Sequence, residues 1–248
     1  MKPVAFLWER HPLPGGATRP IEIDFSRYCH ILTVGGSGSG KSMASLLLTA
    51  KVSLHNPSSK VWILDYKGDS DTFGFLNNGV DNSVSECRYW QYSDCMKGLE
   101  DYYSMFQKRL SNDPDQDKGF RLLWCDEWAS FILNLPKKEA EAAKSMLSTV
   151  LMMGRSKRCQ VLMSTQKAMM EIFSSGSRDN FSVCLAMGNI SKESAAMLGF
   201  SRDEFLPVTE IGGGHLLLGG RQLPVQVPFI GPRGMARMKE DILRAVTR

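Results

Sequence analysis

The chain has 248 residues, of which 43% are hydrophobic and 23% are charged, and its formal net charge is +4. This composition is typical of a globular protein that folds as one α/β domain, and the charge permits an anionic partner without requiring one. The chain contains no run of about 20 apolar residues that would span a membrane and no signal-peptide pattern at its N-terminus, so we expect a cytoplasmic protein without a membrane span.

The first predicted elements surround a glycine-rich segment. Residues 20–25 alternate between apolar and polar side chains, which predicts a strand, and residues 30–34 form a short β-branched run that predicts a buried strand. Residues 43–52 are rich in alanine and leucine and contain neither glycine nor proline, as is typical of a helix. The segment between this buried strand and this helix reads GGSGSGKS.

This segment matches the phosphate-binding loop pattern, which requires a glycine, four further residues, a glycine, a lysine and then serine or threonine. Glycine allows the backbone to approach a phosphate closely, and the N-terminus of the following helix adds a partial positive charge. The lysine would reach the β- and γ-phosphates of ATP, and the serine hydroxyl would ligate Mg²⁺. An ordinary glycine-rich turn is the alternative interpretation. The predicted nucleotide-binding residues are Gly35, Gly36, Ser37, Gly38, Ser39, Gly40, Lys41 and Ser42.

Strands and helices alternate through the rest of the chain. Such alternation predicts a mostly parallel sheet with helices on both faces, in which ligands bind at the carboxyl ends of the strands. The predicted strands are residues 61–64, residues 122–125, one within CQVLMSTQK and one within FSVCLAMG; the predicted helices lie in LEDYYSMFQKRL, in PKKEAEAAKSMLSTVLMMG and at 191–198; a hairpin in GHLLLGGRQLPVQVPF and a basic amphipathic helix at 235–248 end the chain.

Two carboxylates and an amide follow predicted strands, at the edge where the phosphate-binding loop is also expected. Asp126 and Glu127 come directly after the run 122–125, and Gln166 follows the strand within CQVLMSTQK. An aspartate at this position holds Mg²⁺, directly or through water, and a glutamate beside it polarises the water that attacks the γ-phosphate. The Gln166 amide would bond to the γ-phosphate or to this water. Surface carboxylates and an ordinary loop glutamine are the alternatives.

Five segments of the chain follow one another in the order HILTVGGSGSGKS, ILDYKGD, LLWCDEWASFI, GRSKRCQVLMSTQK and RDNFSVCLAMGNISKESAAMLG. In this order they resemble motifs of the FtsK/SpoIIIE-type motor ATPase domains, which are related to conjugative coupling proteins and HerA-type translocases. The resemblance extends from about residue 21 to about residue 230. Two departures are present: Tyr66 stands where proline is usual, and the paired arginines of the helix before the D-E strand are missing from LEDYYSMFQKR.

The resemblance implies a fold, cofactors and an assembly. The expected fold is that of a RecA-like P-loop NTPase, with residues 1–248 forming a single motor domain whose core covers about 21–230, and with ATP and Mg²⁺ as cofactors. Such motors work as homo-oligomeric rings, usually hexamers, with ATP between neighbours and an arginine from one subunit completing the site of the next. Arg155 is the first candidate for that arginine and Arg109 the second. A cation that interacts with the helix C-terminus is the alternative role for Arg155.

Further residues are assigned through the same motifs or by their position. Asp65 and Lys67, in ILDYKGD, are interpreted as coupling the nucleotide state to a loop, with packing as the alternative. Trp90 and Trp128 flank predicted loops and are candidates for a ring lumen or a subunit interface. The chain is expected to be a motor alone or a motor cut from a longer protein that carries membrane-anchoring or sequence-reading domains.

Three functions remain open from the sequence. The first is an ATP-hydrolysing DNA translocase that holds double-stranded DNA through its phosphates, in conjugative or mobile-element transfer. The second is a type VII-like protein-secretion ATPase, which shares this motor core. The third is a nucleotide-gated adaptor that hydrolyses slowly, although adaptors usually lack one of the four residues Lys41, Asp126, Glu127 and Gln166.

Overall fold

A computed structural model of the protein describes residues 3–10, 18–79, 87–111, 117–174 and 176–248. Ten strands and seven α-helices lie within these ranges. The strands are β1 (Val4–Glu9), β2 (Pro20–Ile23), β3 (Ile31–Gly35), β4 (Lys60–Asp65), β5 (Tyr89–Gln91), β6 (Arg121–Asp126), β7 (Cys159–Thr165), β8 (Val183–Met187), β9 (Gly213–Leu218) and β10 (Arg221–Gln226). The helices are α1 (Lys41–His55), α2 (Ser70–Gly79), α3 (Cys95–Leu110), α4 (Trp128–Asn134), α5 (Lys137–Met153), α6 (Lys192–Met197) and α7 (Pro232–Thr247).

All ten described strands belong to one sheet, in the order β2-β1-β10-β9-β8-β3-β7-β6-β4-β5. The six strands from β8 to β5 are parallel, and β9, β10, β1 and β2 extend the sheet by antiparallel pairs. The strand β3 lies between β7 and β8, so the loop that follows β3 emerges near the middle of the sheet. This arrangement confirms the predicted mostly parallel α/β sheet and the predicted hairpin, which is β9–β10.

Helices cover both faces of the sheet, as the alternation of elements predicted. Successive side chains of a strand point to opposite faces, and accordingly Ile63 joins one buried cluster while Leu64 joins the other. The first cluster is formed with α1, α2 and α7, and the second with α3, α4, α5 and α6. The central strands are therefore apolar on both faces, which explains their continuous hydrophobic runs.

The terminal elements contribute more to the core than the sequence patterns indicated. Strand β1, which had no predicted counterpart, buries Val4 and Leu7 completely. The predicted C-terminal helix begins three residues earlier than expected, because Pro232 occupies its first turn, where a missing N–H costs nothing. Its buried residues Ile242 and Val246 belong to the cluster around α1. Among the described residues, no helix is long and apolar enough to cross a bilayer.

Candidate active site

The phosphate-binding loop connects β3 to α1, as its sequence pattern predicted. Gly40 is the N-cap of α1 and has φ 93°, a left-handed conformation that favours glycine. A Cβ added to Gly40 would lie 2.8 Å from the Cα of Gly212, so the loop is also packed too closely there for a side chain. The first N–H groups of a helix have no acceptor within the helix and carry partial positive charge. The loop therefore presents backbone donors that fit a phosphate group.

Lys41 and Glu127 form a buried ion pair beside this loop. The Lys41 ammonium donates to Oε1 of Glu127 over 2.9 Å, and both side chains are almost fully buried. The Lys67 ammonium lies 3.3 Å from the same oxygen and is partly exposed. Glu127 has φ 53°, which is uncommon for a residue with a side chain and costs backbone strain. Two cations and a strained backbone thus hold one carboxylate at the entrance to α4.

Asp126 lies next to this ion pair, at the last position of β6. Burial raises the pKa of Asp126 to about 6; the Lys41 ammonium opposes this effect, and the carboxylates of Glu127 and Asp65 add to it. Its Oδ1 atom is buried and has no hydrogen-bond partner among the described residues. An ionised carboxylate in this position costs free energy that a bound cation would offset.

The donor set fits Mg²⁺ bound together with a nucleotide. Mg²⁺ prefers oxygen ligands and usually keeps several waters, with one or two protein ligands and substrate phosphates completing its shell. Asp126 offers an unpartnered oxygen, and Ser42 lies in the first turn of α1. No cluster of three or more His, Cys, Asp or Glu side chains suited to a metal occurs in the described ranges.

Asp65, at the end of β4, is held by hydrogen bonds from other parts of the fold. It is fully buried and accepts hydrogen bonds from the backbone of Gly68 and from the Tyr89 hydroxyl, over 2.9 Å and 2.8 Å. Its Cα pairs with that of Asp126 in the neighbouring strand. These contacts fix the turn that carries Lys67, so the role of Asp65 is to stabilise the fold. Lys67, in contrast, contacts Glu127 directly.

Gln166 follows β7 at the same edge of the sheet. Thr165 pairs with Val34 of β3, so Gln166 lies beside Gly35, where the phosphate-binding loop starts. Its side chain is exposed. The structure therefore brings the loop, Asp126, Glu127 and Gln166 to one edge, as the positions of the predicted strand ends required.

The two candidate arginines have different environments. Arg109 is buried in α3 and donates to the backbone carbonyls of Lys157 and Asp117, so its donors stabilise the fold. Arg155 is exposed in a short turn before β7. Because β3 and β7 are parallel, Arg155 lies at the amino edge, about 20 Å along β7 from the edge of its own phosphate-binding loop. In this structure neither arginine reaches the site of its own chain.

Trp128 lies neither at a ring lumen nor at a subunit interface, the two locations that the sequence suggested. It is fully buried, and its indole N–H donates to the carbonyl of Ile172 over 2.9 Å. It therefore anchors the start of α4, which positions Glu127, and does not face a lumen or an interface. Trp90 is half-buried against the cluster that contains α3. The sequence signal that α4 begins at Trp128 was weak because this helix has only 7 residues.

Comparison by sequence identifies a relative that matches most of the chain. No protein-family model matches the chain. Over 228 residues the chain is 25% identical to the FtsK domain-containing protein YdcQ of Bacillus subtilis (strain 168), and the match covers 86% of the chain and 46% of YdcQ. The chain thus spans about half the length of this relative.

Comparison by structure extends the same resemblance over nearly the whole chain. EssC (ATPases 2 and 3) from Geobacillus thermodenitrificans has a TM-score of 0.73 at 13% identity, over 99% of this chain and 49% of that two-ATPase chain. The conjugation coupling protein TcpA of pCW3, solved with ATPγS, has a TM-score of 0.66 at 16% identity, over 86% of this chain and 64% of the solved TcpA chain. The cytoplasmic domain of the type VII secretion ATPase EccC of Thermomonospora curvata has a TM-score of 0.65 at 15% identity, over 99% of this chain and 30% of that domain. The chain therefore has the fold of these P-loop ATPases, and the resemblance to FtsK-type domains that its sequence motifs indicated is confirmed.

Proposed function

We propose that residues 1–248 form a single motor domain that binds ATP with Mg²⁺, hydrolyses it, and acts in the cytoplasm as a homo-oligomeric ring on double-stranded DNA. The observation that carries the proposal is the buried contact between Lys41 and Glu127 beside the phosphate-binding loop. An adaptor that only senses nucleotide would not need a carboxylate held at this place. Lys41, Asp126, Glu127 and Gln166 are all present, which supports hydrolysis.

The contacts suggest how the site would respond to ATP. The phosphates would occupy the backbone donors of the loop and attract the Lys41 ammonium away from Glu127. Glu127 would then keep Lys67 as its cationic neighbour and become free to accept a proton from the attacking water. Gln166 would bond to the γ-phosphate or to this water. A bound Mg²⁺, held by Ser42 and Asp126, would supply positive charge to the phosphates.

Double-stranded DNA is the preferred substrate, and a secreted protein is the alternative. The net charge of +4 and the likeness to a conjugation coupling protein support DNA. The likeness to a type VII secretion ATPase supports the alternative. The two substrates differ in charge, and they are therefore separable by the dependence of binding on salt.

We expect an assembled ring of this chain to bind duplex DNA with an affinity that falls steeply with salt and depends little on sequence. Each neutralised phosphate contributes a slope of about −0.9 to the logarithm of the binding constant against the logarithm of salt concentration. A ring that holds a few phosphates should therefore give a slope of roughly −3 to −6. The measurement uses fluorescence anisotropy with two duplexes of unrelated sequence and Glu127→Gln rings loaded with ATP.

Two results would decide against DNA as the substrate. A confirmed ring that binds no duplex at low salt would favour the secretion alternative. Tight binding of the duplex that does not change with salt would contradict binding through the DNA phosphates. A control measurement of ring assembly at each salt concentration is needed, because ring closure itself depends on protein concentration and conditions.

The position of Arg155 supports a role at the site of a neighbouring subunit. It is exposed at the amino edge of the sheet, whereas the phosphate-binding loop lies at the carboxyl edge. A head-to-tail ring brings such opposite edges together, because each subunit then presents one edge to the previous subunit and the other to the next. An arginine supplied in this way stabilises charge in the transition state.

We expect mixed rings of Arg155→Ala and Lys41→Ala subunits to regain ATP turnover that neither variant shows alone. One interface then combines the intact loop of the first variant with the intact arginine of the second. The measurement is steady-state ATP turnover across mixing ratios, with Arg237→Ala, an exposed arginine on α7, as the matched control. If co-assembly is demonstrated and no mixture exceeds its parents, Arg155 does not act across the interface.

A further inference from the structure

Two large apolar side chains are exposed next to the phosphate-binding loop. Ile211 has 79% and Phe229 has 93% of its surface accessible, and these are the highest values among the large hydrophobic side chains that the structure describes. Ile211 lies just before β9, and Phe229 follows β10. The two segments are held opposite each other, because the N–H of Val227 donates to the carbonyl of Gly212 over 2.8 Å.

The segment that carries Ile211 is attached directly to the loop. The N–H of Gly212 donates to the carbonyl of Ser39 over 3.0 Å. Gly212 has φ 84°, and its Cα lies 2.8 Å from where a Cβ of Gly40 would be, so the two backbones are in close contact. The Gln226 side chain donates to the carbonyl of Ile211 over 3.1 Å and fixes this segment further. The exposed pair thus keeps a defined position relative to the phosphate-binding loop.

The order of the strands fixes the direction of a bound nucleotide. Asp126 and Glu127 at the end of β6 and Gln166 at the end of β7 lie on one side of β3, so the γ-phosphate belongs on that side. The strands β8, β9 and β10 lie on the other side of β3. The start of β9, next to Ile211, and the end of β10, next to Phe229, both lie at the same edge of the sheet as the loop. Neighbouring strands are about 4.8 Å apart, which places β9 about 10 Å from β3, within reach of the nucleoside end of a triphosphate.

We infer that Ile211 and Phe229 form the surface that receives the purine base of the nucleotide. The inference rests on the proposed function, because the phosphates must first occupy the loop. A base packed against an aromatic ring and a branched aliphatic side chain would remove apolar surface from water on both partners. Stacking of this kind uses the face of the base, which adenine and guanine share, so this surface favours a nucleotide over the bare triphosphate group without distinguishing ATP from GTP.

The inference is tested by substituting these two residues and measuring the affinity for nucleotides rather than the rate of ATP turnover. Phe229→Ala should weaken the binding of ATP and of GTP about tenfold, since loss of an aromatic stacking partner has an effect of this size. Ile211→Ala should weaken both by a smaller factor, because it removes only apolar contact. Binding of inorganic tripolyphosphate should stay unchanged, because it has no base. Phe229→Trp should retain ATP affinity. Met152→Ala, an exposed residue on α5, is the matched control. Isothermal titration calorimetry measures the binding of all these ligands, with Glu127→Gln as the common background so that hydrolysis does not interfere.

The outcomes separate this inference from the proposed function. Weakened ATP binding together with unchanged tripolyphosphate binding supports the base surface. Unchanged ATP binding in both alanine variants overturns it and leaves the proposed function intact, and so does an equal loss of ATP and tripolyphosphate binding. A change in ring assembly with unaltered nucleotide affinity would also overturn it, because the two side chains would then serve an interface. If the wild-type chain binds neither ATP nor tripolyphosphate, the proposed function itself fails.

Discussion

Replacement of Glu127 with glutamine is expected to leave ATP bound and to slow its turnover at least about a hundredfold, the usual size of a general-base contribution. The amide keeps the shape of the side chain and loses its basicity. Glu127 is buried and held by Lys41 and Lys67, so the carboxylate is placed for one specific task. Since hydrolysis stops while binding persists, the variant should also accumulate ATP-bound rings.

The measurement for Glu127→Gln combines steady-state ATP turnover with a separate determination of ATP affinity. Glu141→Gln, which changes an exposed glutamate of α5, is the matched control and should behave as the wild type. Thermal unfolding of each variant shows whether the fold is retained, since the substitution also removes the negative charge from a buried ion pair. Wild-type turnover by Glu127→Gln would move the general base to another residue.

Replacement of Lys41 with alanine is expected to abolish or severely weaken ATP binding. The Lys41 ammonium is the side-chain positive charge of the loop, and its hydrogen bonds to phosphate would be charge-assisted, about twice as strong as neutral ones. The substitution also leaves Glu127 buried with only Lys67 nearby, so we expect a lower free energy of unfolding.

Equilibrium binding of ATP, followed by calorimetry, tests Lys41→Ala. The matched control is Lys51→Ala, because Lys51 lies further along the same helix α1 and makes no contact with the loop that the structure records. Thermal unfolding of both variants separates a loss of binding from a loss of fold. Unchanged ATP affinity in Lys41→Ala would contradict the assignment of residues 35–42 as the phosphate-binding loop.

The sheet and the loop were predictable because their signals are local in the sequence. Each central strand is buried on both faces and appears as a short apolar run, and β3 is followed at once by the glycines and Lys41. The carboxyl ends of parallel strands meet at one edge, which also made the approach of Asp126 to the loop predictable. The short helix predicted at 191–198 is α6, and Ser191 caps it, with its side chain accepting from the Ser194 N–H.

The remaining features depend on contacts between distant parts of the chain. Strand β5 has only 3 residues, and α4 has 7, so neither carries a periodic pattern long enough to recognise. The family resemblance made Arg109 a candidate because it lies in the helix before the D-E strand, and only the surrounding carbonyls reveal that its donors stabilise the fold. The contact of Lys67 with Glu127 and that of Gly212 with Gly40 join segments far apart in sequence, and no spacing rule indicates them.

ATP turnover measured with and without long duplex DNA, across a range of salt concentrations, tests the central claim most directly. The account predicts that the wild-type chain hydrolyses ATP, that long duplex DNA raises its turnover at low salt, and that this stimulation falls as salt weakens the grip on phosphates. Glu127→Gln should show no stimulation under any of these conditions. Turnover that stays unchanged on addition of DNA, in rings of confirmed assembly, would contradict a motor driven along DNA.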